Sequence, residues 1–165
     1  GDVVRAFNGK TIEVLNTDAE GRLLLADALA YAASRKPDVI VDFATLTAAV
    51  GNALGSRYAA ILGTDRNLVA DCIAAGAEVD ERLWELPLVS EYRRDIDSSV
   101  ADVKNIGEGQ ASTIIGALFL REFTGDVPWA HVDFASTAFS SGFPCHPQGA
   151  TGFGVRTALQ YLLRR

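Results

Sequence analysis

The chain has 165 residues, of which 48% are hydrophobic, and a formal net charge of −6. Its length and hydrophobic content suit one domain with a substantial core, and its acidic balance excludes a general affinity for nucleic acid or anionic membranes. We find no targeting peptide and no apolar run long enough to span a bilayer. Two cysteines outside any motif favour a reducing compartment, so we expect a cytoplasmic protein.

The chain opens on a predicted hairpin. Val3, Val4 and the alternating segment 11–15 indicate two strands, and Asn8-Gly9 is typical of the turn between them. A domain rarely opens one hairpin before its principal site, which we place just after this hairpin. We therefore expect the chain to begin partway through a larger domain.

Helical and apolar segments alternate from there on. The first helix is predicted over 22–35, stops before Pro37, and should bury Leu25, Ala28, Leu29 and Ala32. Further helices are predicted over 49–54, 68–79, 111–123 and 155–163, and further strands over 39–44, 58–62 and 129–134.

The segment 83–88 is apolar but is interrupted by Pro87, so we interpret it as a packed loop. Strands that alternate with helices predict an α/β fold with three α/β/α layers around a mostly parallel sheet. We expect that sheet to be incomplete if the chain starts in mid-domain.

The principal candidate site is the octapeptide Asn-Thr-Asp-Ala-Glu-Gly-Arg-Leu at 16–23, which we call the acidic elbow. Asp18 and Glu20 can aim two carboxylates at one point, and divalent cations need such oxygen ligands. Arg22 adds a planar cation suited to an anion held beside the metal.

A second interpretation of the acidic elbow is a helix cap. Thr17 and Glu20 fit a capping box ahead of an apolar run, and acids in the first turn favour the helix dipole. Arg22 opposes that dipole. Both interpretations can hold together, because a capped turn is also a rigid support for ligands.

Two further turns follow predicted strands, at 45–48 and 135–138. Turns at the carboxyl ends of strands lie where open α/β sheets bind ligands. Asp42, Asp133 and His131 are interpreted as structural partners within these strands.

Weaker constellations have simpler explanations. Cys145-His146 between prolines is interpreted as a surface turn, and Cys72 as a small buried hydrophobe on a helix face. Gly107-Glu108-Gly109 lacks the lysine of a phosphate loop. Lys10 is interpreted as a solvated surface residue.

The acidic elbow resembles the signature of the leucine aminopeptidase family, the cytosol aminopeptidases. Similar segments follow in the family's order, so the resemblance covers essentially the whole chain, at 42–47, 83–88, 101–102, 131–135 and 151–156. It implies that residues 1–165 are the C-terminal portion of a catalytic domain that releases N-terminal amino acids from peptides.

The resemblance also implies a site. Asp18 and Glu20 match metal ligands, with Glu20 bridging two ions, and Arg22 matches an arginine that holds a bicarbonate acting as general base. Positions whose backbone helps hold that anion are Ala19, Gly21 and Leu46. Positions that line the pocket for the substrate's N-terminal side chain are Thr45, Ala48, Ala135 and Ala138.

The implied cofactors are two divalent ions, zinc or manganese first, with magnesium or cobalt also suited to such ligands. Such ions would bind the free amine, polarise the scissile carbonyl and supply hydroxide. The implied partners are peptides with a free N-terminus and further copies of the chain in a hexamer. The family usually has glycine where Ala48 and Ser136 stand, which could narrow the pocket.

In this family a metal-binding lysine, two aspartates and a catalytic lysine lie upstream of the signature, so we expect the isolated chain to be inactive. Two alternatives stay open. One is a structural or oligomerisation segment with a binding role. The other is an unrelated α/β hydrolase in which Thr17–Glu20 is only a helix cap.

Overall fold

The alternation of strands and helices predicted from the sequence is present in the computed structural model, which describes residues 1–142 and 147–165. In chain order the elements are β1 (Asp2–Arg5), β2 (Thr11–Val14), α1 (Glu20–Ser34), β3 (Ile40–Ala44), α2 (Ala49–Leu54), β4 (Ala59–Gly63), α3 (Arg66–Glu78), β5 (Leu83–Glu85), β6 (Val103–Lys104), α4 (Ser112–Arg121), β7 (Trp129–Asp133), β8 (Phe139–Ser140), β9 (Gly149–Ala150) and α5 (Val155–Leu163). Short 3-10 helices cover Thr17–Ala19 and Ser90–Ile96.

The chain divides into two compact units. The first unit comprises Gly1–Ile40 and Pro87–Trp129, and the second comprises Val41–Leu86 and Ala130–Arg165. The architecture is mixed α/β, with sheets flanked by helices, and is compatible with the predicted three-layer fold. Among the described residues, none of the helices combines the length and the apolar character that a membrane span requires.

The first unit contains a sheet of order β1-β2-β6. β1 and β2 form the predicted antiparallel hairpin, and Gly9 supplies the positive φ of +91° that its turn requires. β2 pairs in parallel with β6, Ile12 lying opposite Val103, and both side chains are buried. This pairing matters for the site because the acidic elbow follows directly after β2.

Helix α1 packs on α4, but the face predicted for it is wrong. The residues it buries are Arg22, Ala26, Leu29 and Ala30, whereas Ala28 is exposed. Alanine and leucine occur all around this helix, so their spacing alone did not single out one face. The buried residues also include Arg22, which a search for apolar positions does not identify.

The second unit contains a sheet of order β3-β7-β4-β5. β4 pairs in parallel with β5 and antiparallel with β7. The amide of Phe134, just after β7, donates to the carbonyl of Ala44 at the end of β3 (3.0 Å). The turns that follow β3 and β7 therefore begin side by side, at the same end of these two strands.

The interpretation of 83–88 as a packed loop is wrong, since Leu83–Glu85 is strand β5. Pro87 comes after the strand ends and so removes no hydrogen bond from it. β5 lies at the sheet edge, where so short a strand is common. Helix α3 covers β4 and β5 and packs against α5.

Candidate functional site

The acidic elbow forms a short 3-10 turn, Thr17–Ala19, that runs into α1 at Glu20. Asn16 caps this turn, because its side-chain Oδ1 accepts the amide N–H of Asp18 (2.9 Å). The side chains of Asp18 and Glu20 are both exposed. The turn is therefore held by Asn16, while its two carboxylates point to solvent.

The capping box predicted from Thr17 and Glu20 is not formed. The residue that precedes α1 is Ala19, and no side chain caps the helix there. The 3-10 turn places Thr17 inside a helical segment and transfers the capping role to Asn16. A capping explanation thus accounts for Asn16, while the two acidic side chains make no cap hydrogen bond and lie in first turns, where the helix dipole favours negative charge.

Arg22 lies on the buried side of the same turn. Its side chain is only 5% exposed, and its Nη1 donates to the backbone carbonyl of Asn105 (2.8 Å). This bond uses one of the five N–H groups of a guanidinium. The predicted anion-binding arginine is therefore fixed in place from within the first unit.

Asn105 is a site-supporting residue that the sequence reasoning missed. It is fully buried, its Oδ1 accepts the amide of Leu15 (3.0 Å), and its Nδ2 donates to the carbonyl of Asn16 (2.7 Å). It therefore binds the backbone at both the start of the elbow and, through Arg22, the start of α1. The one signal was an asparagine directly after the short strand β6, and its partners lie about ninety residues away in sequence.

The donor set suits hard or borderline cations but is small. Within the described part of the chain the carboxylates of Asp18 and Glu20 have no hydrogen-bond or ion-pair partner, so the oxygens of both can serve as ligands. Over residues 1–142 and 147–165, no group of three or more histidine, cysteine or acidic side chains is arranged around one point. The elbow therefore fits part of a metal centre.

In the second unit the turns 45–48 and 135–138 are tied together by Asp133. Its Oδ1 accepts the amides of Leu46 and Ala135 (3.2 Å each), and its Oδ2 accepts the hydroxyl of Thr47 (2.6 Å). Burial raises the pKa of Asp133, although the Thr47 hydroxyl, His131 and the two amides act in the opposite direction. Asp133 therefore has the structural role that was predicted for it.

His131, in strand β7, is fully buried, and its Nδ1 lies 2.6 Å from Oδ1 of Asp42. The interpretation of both residues as structural partners is confirmed. Of the predicted pocket residues, Thr45 and Ala48 are exposed, whereas Ala135 and Ala138 are half-buried.

The backbone at Ala138 is held from the other side by Thr151. The Thr151 amide donates to the carbonyl of Ala138 (3.0 Å), and its hydroxyl donates to the carbonyl of Thr137 (2.8 Å). Ser136, one of the departures from the family pattern, donates its hydroxyl to the carbonyl of Tyr58 (3.2 Å). The hydroxyl group of Ser136 is thus hydrogen-bonded within the second unit.

Two of the weaker predictions can be resolved. Cys72 is buried, and burial, with a smaller contribution from Asp71, raises the pKa of its thiol to about 11, which confirms a small buried hydrophobe. Lys10 is only in part the solvated residue predicted, because its side chain is 37% exposed but forms an ion pair with Glu122. Cys145 and His146 lie outside the described residues.

Glu122 also pairs with Arg93. Burial acts to raise the pKa of Glu122, but the hydrogen bonds and charges of Arg93 and Lys10 outweigh it and lower the pKa. This ion network binds the hairpin, the 3-10 helix and α4 within the first unit.

A cavity of about 140 Å³ in the second unit is lined by Arg57, Arg82 and Arg156 together with Thr137 and Phe139. None of the predicted site residues lines it.

The structure brings the predicted site residues together within each unit. Those of the first unit are Asp18, Ala19, Glu20, Gly21 and Arg22, and those of the second are Thr45, Leu46, Ala48, Ala135 and Ala138.

Comparison with known proteins identifies the family. The family model described as the cytosol aminopeptidase family, catalytic domain, matches residues 1–159. A probable cytosol aminopeptidase of Acidithiobacillus ferrooxidans is 50% identical over 165 residues, which are 100% of this chain and 32% of the relative. A protein of the same name from Geobacter sulfurreducens is 51% identical over 163 residues, covering 98% of this chain and 33% of the relative.

A third such protein, from Prochlorococcus marinus, is 49% identical over 164 residues, or 98% of this chain and 34% of the relative. The chain spans about a third of the length of the curated relatives it matches. Because the family model covers nearly all of its residues, the chain belongs to the cytosol aminopeptidase family.

Proposed function

We propose that the chain is part of a dinuclear-metal exopeptidase that releases N-terminal amino acids from peptides. The observation that carries the proposal is the acidic elbow, a turn held by Asn16 and Asn105, on which the exposed carboxylates of Asp18 and Glu20 have no partner among residues 1–142 and 147–165. The name of the relatives, probable cytosol aminopeptidase, agrees with this function.

In this proposal Asp18 and Glu20 would hold two divalent ions, and zinc or manganese suits the oxygen donors best. When bound, the ions supply Lewis acidity at the scissile carbonyl. Arg22 holds an anion, bicarbonate in the first place, with its planar guanidinium. The backbone at Ala19 and Gly21, in the same elbow, assists it.

The chain's remaining contribution is selectivity. The turns that follow β3 and β7 present Thr45, Ala48, Ala135 and Ala138 to the side chain of the substrate's first residue. Small side chains at three of these positions leave room for an apolar group, and the methyl of Ala48 reduces that room relative to glycine. Bound ions would also favour a substrate with a free amino terminus, since they could interact with its amine.

A test of the metal site compares Glu20→Gln with the wild-type holoenzyme. The substitution keeps the size of the side chain and removes its charge, so we expect hydrolysis of leucine p-nitroanilide to fall at least about a hundredfold and zinc affinity to fall with it. Asp126→Asn, an exposed acid of the same unit, is the matched control. Equal activity and zinc affinity in both variants would remove the assignment.

The ligand count leads to a second expectation. Because the described residues bring two carboxylates and no larger ligand group, the chain by itself should bind zinc weakly and hydrolyse peptides little. Substantial turnover by the isolated chain with added zinc or manganese would contradict this.

A second candidate function, an oligomerisation segment in a cytoplasmic hexamer, is favoured by helix α5. One face of this helix exposes Val155 (70%), Leu159 (57%), Leu162 (67%) and Leu163 (73%). Large exposed apolar groups at helical spacing are typical of an interface. Sedimentation of the holoenzyme and its Leu159→Glu variant tests this, and equal oligomer size would count against it. The two functions are compatible.

A further inference from the structure

We propose that Asp133 is a positioning residue that sets the side-chain selectivity of the enzyme. It would do so by locking the turns 45–48 and 135–138 into one geometry. The inference rests on the proposed function, because it concerns the pocket that these turns present. Asp133 does not touch the substrate. It acts through the backbone of residues that do.

The first step of the argument is geometric. One carboxylate oxygen of Asp133 accepts the amides of both Leu46 and Ala135 (3.2 Å each), so a single atom joins the turn after β3 to the turn after β7. The other oxygen accepts the hydroxyl of Thr47 (2.6 Å). The two turns therefore cannot move apart without breaking a bond to the same side chain.

The second step concerns burial. Asp133 is 0% exposed and Thr47 is 6% exposed. A carboxylate removed from water retains its charge only when hydrogen bonds replace the lost hydration. The bonds from Leu46, Thr47 and Ala135 supply that replacement, and bonds to a charged group are stronger than neutral ones.

The third step connects the clamp with selectivity. Leu46 lies between pocket positions Thr45 and Ala48, and Ala135 is itself a pocket position. A displacement of about 1 Å at such positions is enough to change rates strongly. Discrimination between apolar side chains in a pocket is worth only about 10- to 200-fold, so loose walls would erase much of it.

The experiment uses the metal-loaded holoenzyme and measures kcat/KM for alanine, leucine and phenylalanine p-nitroanilides. Thr47→Val removes the hydroxyl that Asp133 accepts, and we expect the ratio of the preferred substrate to the poorest to change about tenfold. Thr47→Ser keeps the hydroxyl, so the ratio for this variant should equal that of the wild type. Asp133→Ala should change the ratio more than Thr47→Val does.

The matched control is Thr157→Val. Thr157 is also a buried threonine that donates its hydroxyl to a buried carboxylate, that of Glu81 (2.7 Å), but it lies on α5. This variant should lose comparable stability and leave the selectivity ratio unchanged. Equal ratios in wild type, Thr47→Val and Thr157→Val would overturn the proposal, as would a shift of the same size in both variants.

A second measurement does not depend on catalysis. Hydrogen exchange at peptides covering 44–49 and 134–139 should speed up about tenfold in Asp133→Ala or Thr47→Val, since a broken bond of this kind frees both turns. Unchanged exchange overturns the clamp. A wild-type holoenzyme that hydrolyses none of the substrates refutes the proposed function instead, and if Asp133→Ala does not fold, Thr47→Val alone decides.

Discussion

The side chain of Glu81 should stabilise the second unit strongly, and its removal is the most demanding test of the packing described above. Glu81 is 1% exposed and lies between α3 and β5. Its Oε2 accepts the amides of Gly154 (3.0 Å) and Thr157 (2.9 Å) and the hydroxyl of Thr157 (2.7 Å). It therefore caps α5 from outside that helix, where the dipole favours a negative charge.

The magnitude follows from these contacts. Glu81→Ala leaves two amides and a hydroxyl buried without an acceptor, and breaking a buried charged network costs about 3–5 kcal/mol. The ion pair with Arg156 (3.1 Å) adds little, because that arginine is 49% exposed. Glu81→Gln keeps an acceptor at Oε2 and should cost only about 1–2 kcal/mol.

The assay is urea unfolding of the purified chain, followed by far-ultraviolet circular dichroism. Glu85→Ala, an exposed acid on the neighbouring strand, is the control and should stay within about 0.5 kcal/mol of wild type. If Glu81→Ala behaved like Glu85→Ala, or if Glu81→Gln were as damaging as Glu81→Ala, the capping explanation would be refuted.

Four further predictions concern individual contacts. Gly76→Ala should cost more than about 2 kcal/mol in the same unfolding assay, because its Cβ would lie 2.4 Å from the backbone oxygen of Glu81. Gly51→Ala, whose Cβ meets ordinary contact at 3.4 Å, should instead be neutral or stabilising by up to about 1 kcal/mol. Glu122 has a lowered pKa in the folded chain. Its contribution is therefore present above the ordinary glutamate pKa and lost as pH falls through the folded value, so Glu122→Gln should lose stability at neutral pH and make acid unfolding less steep. In a Cys145→Ser background, Cys72, with its pKa raised to about 11, should react with a thiol reagent at pH 8 only after unfolding, and rapid labelling of the folded chain would contradict its burial.

The sequence was most informative where pattern and chemistry coincide over a short stretch. The hairpin at Asn8-Gly9 and helix α5 were predicted almost to the residue, because a turn dipeptide and a regular apolar spacing are local signals. The structural tasks of Asp42, Asp133 and His131 were also predictable. Polar residues inside apolar strands have few other places to find partners.

What the sequence could not indicate depends on contacts distant along the chain. Asn105 supports the acidic elbow from about ninety residues away, and no local pattern marks such a partner. The choice of Asn16 over Thr17 as the cap depends on a 3-10 turn, and the two residues have nearly equal capping preference. The buried face of α1 was misjudged for a similar reason. Arg22 is buried where it bonds to the distant Asn105, and no apolar spacing marks that position.

The most direct test of the metal assignment is anomalous diffraction from zinc-loaded crystals of the holoenzyme. The proposal predicts anomalous peaks about 2.0–2.2 Å from carboxylate oxygens of Asp18 and Glu20, the usual distance for zinc, with Glu20 contacting both ions. Zinc peaks elsewhere, with both carboxylates of the acidic elbow unligated, would contradict it.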